Sequence, residues 1–177
     1  MRTRLVGGLA SILVTIPLLA GSAYAMGENT GPADTVPTCK NGSVWDKNKK
    51  KCVPKTSALD DDSIYETGRS LAKLGRYGEA ITILSLANNK ADPRILNYLG
   101  YSHRKQGRVQ VGVGYYREAL RQDPNYTLVR EYLGEAQLQL GNVAAAREQL
   151  GEIEKRCGKA CPEYTELSGE IAAHVKG

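Results

Sequence analysis

Three copies of one pattern of small and apolar residues follow each other along this chain of 177 residues. The copies are offset by 32 and then by 34 residues, and each consists of two apolar runs separated by a glycine. The corresponding positions are Gly68, Gly75, Ala80, Leu84 and Ala87 in the first copy, Gly100, Gly107, Gly112, Tyr116 and Ala119 in the second, and Gly134, Gly141, Ala146, Leu150 and Ile153 in the third. A repeat of this length holds two helices and a turn, and it buries its apolar face only against neighbouring copies. The pattern therefore predicts an all-α array of three stacked helical hairpins.

The middle copy carries the signature by which the repeat can be classified. Its sequence follows the pattern Trp-x2-Leu-Gly-x2-Tyr, then Ala-x3-Phe, then Pro, with substitutions that keep the size class everywhere except at His103. The matching positions are Leu96, Leu99, Gly100, His103, Gly112, Tyr116 and Pro124. The chain resembles the tetratricopeptide repeat family. The resemblance implies a helix–turn–helix solenoid of about three repeats, closed by a capping helix, that binds peptides on its concave face.

Helix boundaries and inward faces follow from the period of the apolar residues and from turn signals. The predicted helices span residues 63–74, 77–88, 94–106, 128–140 and 143–156, with a capping helix over 162–175 and one further helix that contains Gly112 and Gly114. The expected inward residues are Ile64, Thr67, Leu71, Leu74, Ala80, Ile81, Leu84, Ala87, Ile95, Leu96, Leu99, His103, Tyr132, Leu133, Ala136, Leu150, Ile153, Tyr164, Leu167, Ile171 and Val175. Asp60 and its two acidic neighbours are placed to cap the first helix.

The N-terminal part of the chain has a different composition. Residues 1–25 combine a basic start, a short apolar stretch and small residues before Ala25, which predicts a secretory signal peptide cleaved after Ala25 and a periplasmic location. Residues 26–38 are rich in Gly, Pro, Asn and Thr, and they are expected to form a disordered linker. Residues 39–55 are predicted to form a small basic hairpin, and residues 59–177 the repeat domain.

Four cysteines are expected to pair with their nearest neighbours, Cys39 with Cys52 and Cys157 with Cys161, because exported proteins oxidise their thiols. The first pair closes the basic hairpin. The second lies across a corner formed by Gly158 and Pro162, at the start of the capping helix. Zinc is not expected, since the spacing of the four cysteines does not match a familiar ligand pattern.

Charge is concentrated in one segment. The whole chain carries a net charge of +5, but residues 39–55 contain six lysines and one acid, while residues 56–177 are neutral. The basic character therefore does not indicate a nucleic-acid-binding face on the repeats. No catalytic residues are predicted, because His103 and His174 lie far apart and neither has a nearby nucleophile. No phosphate-binding cofactor site is predicted either, because Gly112-x-Gly114 lies inside a helix, where the backbone N–H groups are not free.

The predicted binding surface, here named the concave face, comes from the first helix of each repeat. By resemblance to the family it comprises Tyr65, Arg69, Lys73, Arg94, Asn97, Tyr101, Arg104, Lys105, Glu131, Glu135 and Leu138. It is basic in the first two repeats and acidic in the third, which favours a peptide of complementary polarity. One subclass of the family clamps a C-terminal carboxylate with Lys, Asn and Arg. Those positions here hold Tyr65, Arg69, Tyr98, Leu128 and Tyr132, so that ligand is not expected.

The sequence thus predicts a non-enzymatic, exported protein that binds a protein or peptide partner in the cell envelope, in support of envelope assembly or integrity. An alternative places function in the hairpin. Trp45 with Lys49, Lys50 and Lys51 would contact an anionic cell-wall polymer or a carbohydrate, since residues 39–52 loosely resemble pieces of small carbohydrate-binding modules. Self-association, through Leu128 and Tyr132 or through the second helical hairpin, is a third possibility.

Overall fold

A computed structural model describes residues 36–37, 39–40, 43–55 and 59–176. The predicted signal peptide, and all of the predicted linker except Val36 and Pro37, lie outside these residues. The described residues form two strands and seven helices in the order β1 Val44–Asp46, β2 Lys51–Val53, α1 Asp61–Lys73, α2 Tyr77–Leu84, α3 Pro93–Lys105, α4 Val109–Gln122, α5 Thr127–Gln139, α6 Val143–Cys157 and α7 Pro162–Lys176. Helices α1 to α6 are the three predicted hairpins, and α7 is the predicted cap.

The basic hairpin has the antiparallel strands that its sequence predicts, with Trp45 opposite Cys52. It packs on α1. Val44 and Val53 lie in the same apolar core as Ile64 of that helix. Backbone and side chain of Lys47 also bind α1, because the Lys47 N–H donates to Ser63 Oγ at 3.0 Å and Lys47 Nζ lies 2.7 Å from Glu66 Oε1. The hairpin therefore covers the first helix, as a neighbouring repeat covers the helices inside the array.

Glycines mark the turn within each repeat. Gly75, Gly107 and Gly141 have positive φ angles of 74°, 81° and 75°, which a residue without a Cβ adopts at little cost. Gly100 serves a different purpose, since a Cβ there would lie 2.7 Å from the Tyr116 ring. The repeated glycines thus let the chain turn sharply and let the paired helices approach closely.

Both predicted disulfides are formed, and the predicted cap of α1 is present. Cys39 is bonded to Cys52 and Cys157 to Cys161. Asp60 accepts a hydrogen bond from the backbone N–H of Ser63 at 2.8 Å. None of the described helices is both long enough and apolar enough to cross a membrane.

Several predicted details are wrong. Helix α2 ends at Leu84 instead of residue 88, because the backbone N–H of Asn88 donates to Asp61 Oδ1 of α1 at 2.7 Å instead of continuing the helix, although Ala87 remains buried. Leu74 is exposed because α1 ends there before the turn at Gly75, and Val175 is exposed in the last turn of α7. His103 is only half-buried and stacks on Tyr115 with a ring-centroid distance of 5.3 Å.

Candidate functional site

The predicted concave-face residues lie on α1, α3 and α5, but they differ in exposure. Lys73 and Lys105 are exposed. The half-buried members are Tyr65, Arg69, Arg94 and Glu135, and the buried members are Asn97, Tyr101, Arg104, Glu131 and Leu138. Leu138 belongs to the apolar core with Leu167 and Ile171 of α7, so the capping helix covers it. Whether these residues contact a partner stays a prediction.

Arg104 lies at the centre of this surface, and its side chain is only 1% exposed. Nη2 lies 2.6 Å from Glu135 Oε2, and Nε donates a hydrogen bond to the Tyr116 hydroxyl at 3.2 Å. Burial lowers the pKa of Arg104, but Tyr116 and Glu135 outweigh it and raise that pKa above its ordinary value. This basic residue of the second repeat is therefore already paired with an acid of the third.

Arg94 is also paired, although its side chain is 42% exposed. Its two Nη atoms lie 2.9 Å from Asp62 Oδ1 and 2.7 Å from Asp92 Oδ2. Its guanidinium carbon lies 4.9 Å from the centre of the Tyr65 ring, in the geometry of a cation–π contact. The basic charge at this end of the surface is thus balanced within the protein.

Tyrosine rings connect the first helices of the three repeats. Successive ring centroids are 5.9 Å apart from Tyr65 to Tyr98, 6.1 Å from Tyr98 to Tyr101, and 5.2 Å from Tyr101 to Tyr132. The Tyr98 hydroxyl accepts a hydrogen bond from Arg69 Nε at 3.3 Å. The predicted site omitted Tyr98, although its spacing of three residues before Tyr101 indicates a neighbouring position on one helix. Tyr98 and Tyr101 are 3% and 9% exposed and belong to the core, so only the half-buried rings of Tyr65 and Tyr132 leave part of their surface open to contact.

The acidic end of the surface is larger than the sequence indicated. Glu131 is 8% exposed, and burial, followed by Glu135, Glu163, Glu166 and Glu170, raises its pKa to about 8. Glu170 is half-buried, and burial and then Glu135 raise its pKa to about 7. We call these five residues, on α5 and α7, the acidic cluster. The α7 members were missed because α7 was interpreted only as a cap, although their spacing of three and four residues places them on one helical face.

Asn97 is the remaining unusual member of the predicted face. Its side chain is fully buried, and neither its amide oxygen nor its amide nitrogen has a hydrogen-bond partner among the residues that the structure describes. Such a group carries a desolvation cost of about 1 to 3 kcal/mol. Asn97 is therefore enclosed within the protein and is not part of the exposed surface.

The residues of the alternative site lie on the hairpin. Trp45 is half-buried, while Lys49, Lys50 and Lys51 are exposed. Lys49 Nζ lies 3.1 Å from Asp46 Oδ2, and the backbone N–H of Lys49 lowers the pKa of Asp46. Polymer binding by this group stays a prediction.

In the part of the chain covered by the structure, one group has metal-ligand spacing, formed by Cys157, Cys161 and Glu163. Both of its cysteines are joined in a disulfide, so neither supplies a thiolate in this form of the protein.

The repeats match a protein-family model for the tetratricopeptide repeat. Two overlapping matches cover residues 65–127 and 99–165, which is more than half of the chain. The chain belongs to the tetratricopeptide repeat family. Among curated protein sequences, none matches it.

Solved structures of other tetratricopeptide repeat proteins share the fold. The first such domain of Spaghetti (RPAP3), bound to the HSP90 peptide SRMEEVD, is 17% identical with a TM-score of 0.58, covering 67% of this chain and 94% of that one. The Yersinia enterocolitica type III secretion chaperone SycD, in complex with a peptide of the translocator YopD, is 20% identical with a TM-score of 0.55, covering 65% and 88%. PcrH, in complex with the chaperone-binding region of PopB, is 21% identical with a TM-score of 0.54, covering 64% and 93%. At these identities the similarity shows the fold alone.

Proposed function

We propose that this tetratricopeptide repeat protein is a non-enzymatic interaction module that binds an extended peptide segment of a partner protein on its concave face. The proposal rests mainly on one observation: three proteins with the same fold hold peptides or a partner's binding region. The half-buried rings of Tyr65 and Tyr132, at the two ends of the tyrosine row, support it, since such rings bind chain segments at low entropic cost.

The ligand differs from the HSP90 peptide held by RPAP3. A carboxylate clamp needs free cations, whereas Arg94 is paired with Asp62 and Asp92, and Arg104 with Glu135. A peptide that ends in a cluster of acids would also meet Glu131 and Glu135 at the other end of the surface. The partner segment is therefore not an acidic C-terminus.

The second part of the proposal is the location. The protein acts outside the cytoplasm, in the cell envelope, where it supports envelope assembly or integrity. The support is the N-terminal signal pattern before Ala25 together with two pairs of cysteines at bonding distance. The test is to express the full chain in a bacterium and to determine the N-terminus of the protein in the periplasmic fraction. We expect a chain that begins at Met26, and an uncleaved cytoplasmic chain would contradict the location.

Peptide binding is tested by site-specific photocrosslinking in cells. A photoreactive residue replaces Lys105, which is exposed on the concave face, or Arg147, which is exposed on α6. We expect a discrete crosslinked protein only from position 105. Equal crosslinking from both positions, or none from position 105, would contradict the proposed surface.

A further inference from the structure

The acidic cluster carries more charge than the protein neutralises. Five carboxyl groups from α5 and α7 act on one another there, and the nearby cations are Arg104 and Lys105 of α3. Arg104 is occupied by Glu135 at 2.6 Å. Lys105 Nζ lies over the Tyr101 ring, 5.4 Å from its centre. Burial and the repulsion between the remaining carboxyl groups raise the pKa of Glu131 and of Glu170, so a further cation at this place would stabilise their ionised forms.

Two buried polar groups at this place lack partners. Glu131 is 8% exposed, and no hydrogen bond or ion pair among the described residues involves its carboxyl group. Arg104 Nη1 is buried and has no hydrogen-bond partner in the same part of the chain, although the other nitrogen of its guanidinium contacts the cluster at Glu135. The carboxyl group of Glu131 is thus open to a hydrogen-bond donor, whereas Arg104 Nη1 is enclosed within the protein.

A metal ion does not fit this arrangement. Metal ligands must converge on one point at about 2 to 2.6 Å, which brings their oxygens close together. Among the described residues, the carboxyl groups of α5 and α7 do not form a set with such spacing. An ammonium or guanidinium group is larger and satisfies several carboxylates at hydrogen-bond distance.

We propose that the acidic cluster receives a lysine or arginine side chain of the bound peptide, with Glu131 and Glu170 as its main acceptors. The half-buried Glu163 and the exposed Glu166 flank the entry. This inference rests on the proposed function, because it names the chemistry of the peptide that the concave face selects.

The experiment selects peptides from a random twelve-residue phage-displayed library on the immobilised full chain, in a buffer with EDTA. The tightest peptide is then titrated by fluorescence anisotropy against the native protein and against the variants Glu131→Gln, Glu170→Gln and Glu148→Gln. Glu148 is exposed on α6 and supplies a control with the same change of charge outside the cluster. Replacing Glu131 relieves repulsion, so folding is retained.

We expect every selected peptide to contain lysine or arginine. We also expect Glu131→Gln and Glu170→Gln each to weaken binding about tenfold, while Glu148→Gln leaves it unchanged. Peptides that bind without a basic residue, or equal losses in all three variants, would overturn this inference and leave the proposed function standing. A library that yields no binder would overturn both.

Discussion

The two ends of the repeat array are closed in different ways. At the N-terminal end the hairpin of β1 and β2 packs on α1, and the charges beside it are paired, such as Lys47 with Glu66 and Arg94 with Asp62. At the C-terminal end α7 packs on α5 and α6 and places its acids opposite Glu131 and Glu135. The charges at the N-terminal end are thus paired, whereas carboxyl groups at the C-terminal end repel one another. Interior charges without partners cost stability, and this difference is the basis of the binding site proposed at the C-terminal end.

Arg104 lies on α3, between the two ends, and its replacement should have the largest effect on stability. Arg104→Met leaves Glu135 of the acidic cluster without its cation and the Tyr116 hydroxyl without its donor, so we expect the free energy of unfolding to fall by about 4 kcal/mol in urea denaturation. The exposed neighbour Lys105 supplies the control, for which Lys105→Met should change stability by less than about 0.5 kcal/mol. Adding Glu135→Leu to Arg104→Met should recover most of the loss. A double variant as unstable as the single one would show that the pairing is not the cause.

The two disulfides, one at each end of the array, close loops of different length. Cys39 and Cys52 are 13 residues apart and Cys157 and Cys161 only 4. From loop entropy alone, replacing the first pair by alanine should cost about 3 kcal/mol and the second about 2 kcal/mol. Urea denaturation without reductant measures both. A larger loss from the C-terminal pair would mean that α7 depends on its bond more than the hairpin does.

The smallest expected effect is the change with pH in the contribution of Glu131 to folding stability, which tests the repulsion between the carboxyl groups directly. Its pKa is about 8 in the folded protein and near the ordinary 4.5 in the unfolded chain, so stability is lost as the pH rises from 4.5 to 8. The facing charges are Glu135 on α5, Glu163, Glu166 and Glu170 on α7, and Arg104 and Lys105 on α3.

Glu131→Gln removes this ionisation. Relative to the native protein, the variant should gain about 2 kcal/mol more at pH 7 than at pH 5. Thermal denaturation across this range, with Glu148→Gln as the control, measures the difference. A gain that does not change with pH would show that Glu131 is not held in its neutral form.

The repeats could be predicted because their signals are local. Gly75 and Gly107 recur at the same turn, and Gly100 recurs where two helices come close, so spacing alone locates the helices. The packing of Val44 against α1 could not be predicted, since no periodic pattern connects the hairpin with that helix.

The candidate site was predictable only as a surface. The resemblance to the family predicted the residues of the concave face, but it did not show which charges would pair across it. Arg104 and Glu135 are 31 positions apart in sequence, and their 2.6 Å contact depends on how closely α3 and α5 approach. The same applies to α7, because the acids of a terminal helix join a site only through the angle at which that helix packs.

The shared core of the hairpin and α1 has a practical consequence for shortening the protein. A truncation at residue 59 would follow the repeat boundary, yet it would remove Val44 and Val53, whose burial contributes about 1.5 to 3 kcal/mol each. The apolar flank of α1 would then face water and promote aggregation during expression. The smallest well-behaved fragment begins before Cys39.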